Sequence, residues 1–116
     1  MYYDFNKPNE IPNEFHGKFS YVIVDPPFIT REVWSLYAST IKLLVKKGKH
    51  FRKIMIQKDA KILASTIVEN EDLMRELLQL QPVEFKPSIP HLVYQYNFFS
   101  NYTSQRLSKQ NPEILV

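Results

Sequence analysis

The sequence contains no cysteine and only two glycines, Gly17 and Gly48. The lack of cysteine excludes a disulfide scaffold, a zinc site built on cysteines and redox chemistry at a thiol. With so few glycines, the chain cannot contain a G-x-G-x-x-G dinucleotide loop or a Walker loop. The histidines His16, His50 and His91 lie far apart and do not show metal-binding spacing, so no metal site is predicted.

Long apolar runs are also missing. No stretch approaches the roughly 20 apolar residues that span a bilayer, and the N-terminus lacks the regions of a signal peptide. These absences predict a protein without a membrane association and with a cytoplasmic location. Fifteen Lys and Arg residues against twelve Asp and Glu residues give a net charge of +3, which permits an acidic partner without requiring one.

The sequence is rich in core-forming side chains. Hydrophobic residues make up 44% of the 116 positions, and they include eight Phe, seven Tyr and one Trp. This composition is typical of one globular domain. We expect residues 1–103 to form that domain and residues 104–116 to form a polar, frayed tail.

The first half of the chain shows a strand followed by a helix. The β-branched run at 21–24 predicts a strand that is buried on both faces, and therefore parallel and central. Apolar residues at helical spacing predict a helix over 30–47, with Thr30 as its N-cap. Residues 49–60 combine strand-like alternation with charged flanks, and they stay unassigned.

The second half repeats the strand and helix and then becomes β-rich. A strand is predicted over 61–66, and a capping box of Thr66 and Glu69 predicts a helix that runs to about Leu80. Two further β-runs are expected to pair as an antiparallel hairpin at one side of the sheet. They cover residues 83–85 and 92–99. The order β-α-β-α-β-β predicts an α/β fold with a mixed sheet.

The four residues Asp25-Pro26-Pro27-Phe28 follow the first strand, at the sheet edge where open α/β folds bind ligands. Two prolines stiffen the backbone and donate no N–H, so nearby carbonyls stay free as acceptors. The Asp25 carboxylate and the Pro26 carbonyl can accept the hydrogens of an amine while the Phe28 ring packs beside it. A plain strand-to-helix turn is the alternative interpretation.

Two other features point less clearly to function. The basic stretch from residue 42 to residue 53 can contact phosphate, but a helix C-terminus and a solvated loop also explain it. Nucleic acid is therefore the less favoured partner. The stripe of Tyr94, Tyr96 and Phe98 suits a lysine channel or a base platform, although one face of a half-buried strand is the commoner explanation.

The tetrapeptide resembles the [D/N]-P-P-[Y/F] motif of class I S-adenosylmethionine (SAM)-dependent amino-methyltransferases. Most of the chain, residues 1–103, is similar to the eukaryotic family that methylates a lysine of translation elongation factor 1-alpha. Members of that family have also been described as probable N6-adenine-specific DNA methyltransferases. The segments that carry the resemblance are 3–8, 19–28, 65–66, 69–70, 85–88, 91–96 and 101–102.

The resemblance implies that the chain is the C-terminal half of a Rossmann-like class I methyltransferase sheet. It would supply strands four to seven of the family, and residues 1–103 would form a partial domain without the glycine-rich SAM loop. We therefore expect the isolated chain to bind SAM weakly or not at all. We also expect its exposed sheet edge to favour self-association.

The resemblance also assigns residues to the site. Asp4 and Phe5 would flank the SAM adenine, with the carboxylate accepting from the exocyclic amine and the ring packing on the base. An Asx turn with a core Phe is the alternative for this pair. The tetrapeptide would orient the acceptor amine through Asp25, Pro26, Pro27 and Phe28.

Three functions remain open. The favoured one is SAM-dependent methylation of a protein lysine, with elongation factor 1-alpha as the expected substrate. The second keeps the chemistry but methylates adenine N6 in DNA or RNA, where the base would be flipped out and stacked on Phe28. The third is a non-catalytic α/β fragment, in which case the isolated chain is inactive.

Overall fold

The computed structural model describes residues 2–27, 29–51, 54–57, 59–88 and 93–112. In chain order its strands and helices are β1 (Tyr21–Val24), α1 (Arg31–Leu44), β2 (Lys49–Phe51), β3 (Ile54–Gln57), β4 (Lys61–Ile67), α2 (Glu71–Leu78), β5 (Gln81–Pro82) and β6 (Tyr96–Ser100). Short 3-10 turns lie at Pro8–Glu10, Asn13–Phe15 and Val68–Asn70. Within the described ranges, no helix is both long enough and apolar enough to cross a membrane.

The main sheet has four strands in the order β1-β4-β6-β5. β1 pairs with β4 in parallel, whereas β6 is antiparallel to both of its neighbours. The chain therefore has the expected mixed α/β architecture of a partial Rossmann-like fold. The antiparallel pair of β5 and β6 lies at one side of the sheet, as expected, with β5 in the outer position.

Helix α1 follows the predicted pattern closely. The Thr30 side chain caps its N-terminus by accepting a hydrogen bond from the Val33 backbone N at 3.3 Å. The helix ends at Leu44, three residues earlier than expected, because Val45 turns extended and forms a β-bridge with Phe19. The C-terminal end of α1 is thus fixed to the segment that leads into β1.

The predicted capping box at the start of the second helix is wrong. Thr66 lies inside β4, its side chain is buried, and α2 begins only at Glu71. Asn70 holds the N-cap position without a side-chain cap bond. The helix also stops before Leu80, since Gln79 adopts the left-handed conformation with φ of 53°.

One face of the sheet carries the hydrophobic core. Both helices pack against this face, and the fully buried side chains include Trp34 of α1, Met74 of α2 and Phe99 of β6. The apolar residues of α2 are buried or packed against this core. They are Leu73, Met74, Leu77 and Leu78.

The prediction that the first strand is central and buried on both faces is wrong for the described sheet. β1 is an edge strand whose side chains alternate in exposure. Val24 is buried in the core, whereas Tyr21 and Ile23 are 44% and 72% exposed. A continuous apolar run therefore does not establish burial on both faces, because nothing in the run reports what covers each face.

The remaining differences concern the unassigned segment and the bounds of the last two strands. The unassigned segment 49–60 contains the antiparallel pair β2 and β3, which forms a separate two-stranded sheet. The final two strands do pair antiparallel, but β5 precedes the predicted run 83–85 and β6 begins at Tyr96.

The described part of the tail, residues 104–112, is hydrogen-bonded and not frayed. The Phe85 N donates to the Leu107 carbonyl at 2.9 Å, and the Asn111 Nδ2 donates to the Lys86 carbonyl at 2.7 Å. Asn111 is itself buried. The tail therefore packs against the segment that follows β5.

Candidate functional site

The loop that leaves β1 places the predicted amine-orienting residues at the carboxyl end of that strand. Asp25 and Pro27 are exposed, and Pro26 between them is buried, so the loop is anchored by one proline ring. Among the described residues, no hydrogen bond or ion pair engages the Asp25 side chain. Its carboxylate is therefore available to a ligand. Phe28 lies outside the described residues.

A partly buried polar network binds the residue at the far end of this loop. The Asn70 Nδ2 donates to the Ile29 carbonyl at 2.9 Å and to the Thr66 Oγ1 at 3.0 Å. The Trp34 Nε1 donates to the same Thr66 Oγ1 at 3.2 Å. Because Ile29 directly follows the tetrapeptide, these bonds connect the loop to the ends of β4 and α1. The network thus bonds to the residue that directly follows the tetrapeptide.

Sequence reasoning missed the role of this network. The sequence pattern predicts Thr66 as a helix cap, whereas the residue lies near the end of β4, the strand next to β1. The carboxyl ends of parallel strands meet at one sheet edge, so polar residues after both strands were the available signal. Asn97 was also missed: it pairs with Thr66 in register, and its Oδ1 is buried without a hydrogen-bond partner among the described residues.

An ion pair adds a surface connection near the loop. Arg31, the first residue of α1, binds both carboxylate oxygens of Glu76 in α2 at 3.1 and 3.0 Å. The hydrogen bonds and the charge of Arg31 lower the pKa of the Glu76 carboxyl. Both side chains are well exposed, so the pair adds little stability.

The predicted adenine-flanking pair is docked on α1. The Asp4 Oδ1 accepts from the Asn6 backbone N at 3.0 Å, which is the Asx turn given above as the alternative. The Phe5 ring stacks on Tyr37 with ring centroids 5.4 Å apart and planes inclined by 20°. Phe5 is half-buried. The turn and the stacked ring together fix this segment.

Tyr3 strengthens the same contact. Its ring meets the Tyr37 ring edge-on at 6.0 Å, and its hydroxyl shares a hydrogen bond of 2.8 Å with the Thr40 Oγ1. Burial against the helix raises the pKa of the Tyr3 hydroxyl, despite the opposing effect of the Thr40 bond. The N-terminal segment is therefore part of the folded structure.

Helix α1 is the element shared by both groups of site residues. The Asp25 loop leads directly into its N-terminus, and Phe5 stacks on Tyr37 in its second turn. No hydrogen bond or ring contact within the described ranges joins Asp4 or Phe5 to Asp25. The same ranges contain no group of three or more side chains that could hold a metal ion.

Comparison with known proteins identifies the family of the chain. Residues 1–104 match the model of a family described as probable N6-adenine methyltransferase. The chain belongs to this methyltransferase family. Membership confirms the resemblance seen over residues 1–103, and it covers both the Asp4–Phe5 segment and the Asp25 loop.

The curated relatives that this chain matches have names that refer to lysine. A protein-lysine N-methyltransferase of Caenorhabditis elegans is 30% identical over 103 residues, which cover 88% of this chain and 42% of the relative. A protein-lysine N-methyltransferase of Dictyostelium discoideum is 28% identical over 111 residues, which cover 95% of this chain and 48% of the relative. EEF1A lysine methyltransferase 1 of Danio rerio is 31% identical over 110 residues, which cover 93% of this chain and 58% of the relative.

The chain spans about half the length of the curated relatives it matches. No solved structure matches it significantly.

Proposed function

We propose that this chain is the acceptor-binding half of a SAM-dependent N-methyltransferase that modifies a protein lysine. The exposed Asp25 carboxylate, unpaired among the described residues and located at the carboxyl end of β1, is the observation that carries the proposal. The names of the curated relatives support lysine as the acceptor.

The loop geometry suits an amine nucleophile. The Asp25 carboxylate and the Pro26 carbonyl would each accept one N–H of the ε-amine, so that its lone pair points at the methyl donor. The buried Pro26 ring on one side and the Asn70–Ile29 bond on the other limit movement of these acceptors. The lysine must lose a proton before transfer, because an ammonium group has no lone pair.

SAM supplies the methyl group from its electrophilic sulfonium. The residues present fit only the other part of this cofactor, its adenine. Phe5 offers a ring held flat on Tyr37. Of the two Asp4 carboxylate oxygens, only Oδ1 has a partner among the described residues, so Oδ2 can accept from an amine. Gly17 and Gly48 cannot form a glycine-rich loop for the rest of the cofactor, and we expect weak SAM binding by the isolated chain.

Elongation factor 1-alpha is the substrate that we propose. Relatives named EEF1A lysine methyltransferase 1 occur in Danio rerio and Bos taurus, and the second is 29% identical over 106 residues. Adenine N6 is the second candidate, because the description of the matching family refers to it. A net charge of +3 is small for a protein that must neutralise several phosphates.

The test uses labelled SAM and a protein in which the corresponding N-terminal half of a curated relative precedes residue 1. Elongation factor 1-alpha, a lysine peptide and duplex DNA are offered as acceptors. We expect label on protein lysine, and loss of transfer by a factor of about 100 or more in Asp25→Ala, since positioned acceptors contribute on that scale. Asp72→Ala, which removes an exposed carboxylate on α2, is the matched control.

SAM binding should stay largely unchanged in Asp25→Ala, because this carboxylate is assigned to the acceptor amine. Label on adenine would contradict lysine methylation and support the second candidate function, the methylation of adenine N6. Full activity of Asp25→Ala on lysine would exclude the assigned role of the loop. If the restored protein transfers no methyl group to any acceptor, a non-catalytic α/β unit becomes the better interpretation.

A further inference from the structure

A concave site lies at the opposite end of the sheet from Asp25. An open cavity of about 700 Å³ is bordered by the start of β4, the C-terminal ends of α1 and α2, and the residues after β6. β4 runs parallel to β1, so Lys61 at its start pairs with Tyr21 at the start of β1. Asp25 follows the other end of β1. The cavity is therefore separate from the candidate methyl-transfer site.

Lysine side chains dominate the charge of this cavity. Asp59 is the one acidic side chain among its described lining residues, and its Oδ1 accepts from the Gly48 backbone N at 2.6 Å. None of the lining lysines forms an ion pair within the described part of the chain. These lysines are Lys42, Lys46, Lys47 and Lys61.

The cavity accounts for the net charge of the molecule. Four lysines and one aspartate leave its lining at +3, which equals the net charge of the whole chain. All other charges in the sequence therefore balance. The C-terminal ends of α1 and α2 each contribute about half a negative charge, which is too little to neutralise the lysines. An anionic partner would therefore be attracted to this cavity more strongly than to the rest of the molecular surface.

The lining also has an apolar part. The Asn101 side chain holds the wall in place by donating from Nδ2 to the Ala60 carbonyl at 2.9 Å and accepting from the Ile62 N at 2.8 Å. Carboxylates combined with an apolar side chain would use both parts of the surface, whereas a phosphate backbone would leave the apolar part unused. The apolar lining residues include Ile41, Val45, Ile62 and Leu78.

We propose that this cavity docks an acidic segment of the protein substrate, with carboxylates on the lysines and an apolar side chain against the apolar part of the lining. The proposal rests on the proposed function, because it takes the partner to be a protein. Docking at one end of the sheet would hold the substrate while its lysine reaches the Asp25 loop at the other end.

The test measures binding without methyl transfer. A fluorescein-labelled peptide, in which Asp and Glu residues flank a Leu-Phe pair, is titrated with the 116-residue chain at low salt. We expect saturable binding that weakens as salt is added. Binding should be lost when the acidic residues become Asn and Gln, and it should weaken when Leu-Phe becomes Ser-Ser. These arms change only the probe, so the fold of the chain is untouched.

Charge reversal in the protein gives the second arm. Lys42→Glu with Lys46→Glu should weaken binding by about tenfold or more, since like charges replace attractive ones. Lys86→Glu with Lys109→Glu is the matched control, because both of these lysines are exposed and neither lines the cavity. Circular dichroism of both double variants verifies that the fold is kept.

Equal binding of the neutral peptide, or an equal loss in both double variants, would overturn the proposal. It would also be overturned if single-stranded RNA displaced the peptide at lower concentration, or if the lysine reversals abolished self-association instead. Peptide binding combined with no methyl transfer in the restored protein would contradict the proposed function alone. Methyl transfer to lysine without peptide binding would contradict only this docking site.

Discussion

The two faces of the four-stranded sheet differ in what covers them. On one face, Ala64 and Thr66 of β4 point towards α1 and α2 and are buried. On the other face, the alternate residues Leu63 and Ser65 are only half-buried, and Ile23 of the neighbouring strand is largely exposed. The contrast shows that one face stabilises this chain and that the other is available to a further surface.

The open face is not uniform. Near β6 it is partly covered, because the Phe85 ring stacks on Phe98 with centroids 6.3 Å apart. Near β1 it is covered least, and the β1 edge also lacks a neighbouring strand in the described sheet. The hydroxyls of Tyr21 and Tyr102 share a hydrogen bond near β1. Burial, together with this hydrogen bond, raises the pKa of Tyr102 to about 12. We expect a partner surface to meet the molecule at β1.

The largest effect should come from truncating a side chain on the covered face. Trp34→Ala is expected to lower the free energy of unfolding by about 3 to 5 kcal/mol, because it leaves a cavity between α1 and the sheet. Ile23→Ala removes an apolar side chain from the open face and should cost no more than about 0.5 kcal/mol. Urea denaturation followed by circular dichroism compares the two variants, and similar losses would contradict the contrast between the faces.

A smaller effect is expected from neighbouring β4 residues that point to opposite faces. Thr66→Val removes the oxygen that accepts from Trp34 and Asn70, which leaves buried donors unpaired at a cost of about 1 to 3 kcal/mol. Ser65→Ala on the other face should change stability by less than about 0.5 kcal/mol.

The same urea titration measures this pair. In the fusion with the N-terminal half of a relative, the proposed function predicts that Thr66→Val slows methyl transfer, since Asn70 loses one of its two hydrogen bonds. A Thr66→Val protein that is as stable as Ser65→Ala would show that the network is unimportant.

The smallest effect on stability, but a clear effect on association, is expected for Ile23→Lys. A lysine on the exposed side of an edge strand opposes strand pairing between molecules, while the monomer loses little. Sedimentation velocity at increasing concentration should show less self-association than in the unmodified chain. Val93→Lys places the same charge at an exposed apolar position outside the sheet and should leave association unchanged. A monomeric unmodified chain at high concentration would contradict the expectation.

Local patterns in the sequence determined helix α1, the two parallel strands and the position of the Asp25 loop. Thr30 caps the helix through its own side chain, and the apolar spacing of α1 matches a single buried face. The position of the Asp25 loop at the end of β1 was predictable because residues 25–28 directly follow the strand in the sequence. The family resemblance, which family membership confirms, likewise depended on short segments that can be compared one by one.

Tertiary contacts decided the rest. Whether β1 is central or at an edge depends on which strands pair with it, and Thr66 became a hydrogen-bond acceptor because Trp34, 32 positions earlier, packs over it. The stacking of Phe5 on Tyr37 and the gathering of lysines from α1 and β4 around one cavity also join distant parts of the chain. A local pattern reports the propensity of its own residues, whereas these features depend on partners that only folding brings close.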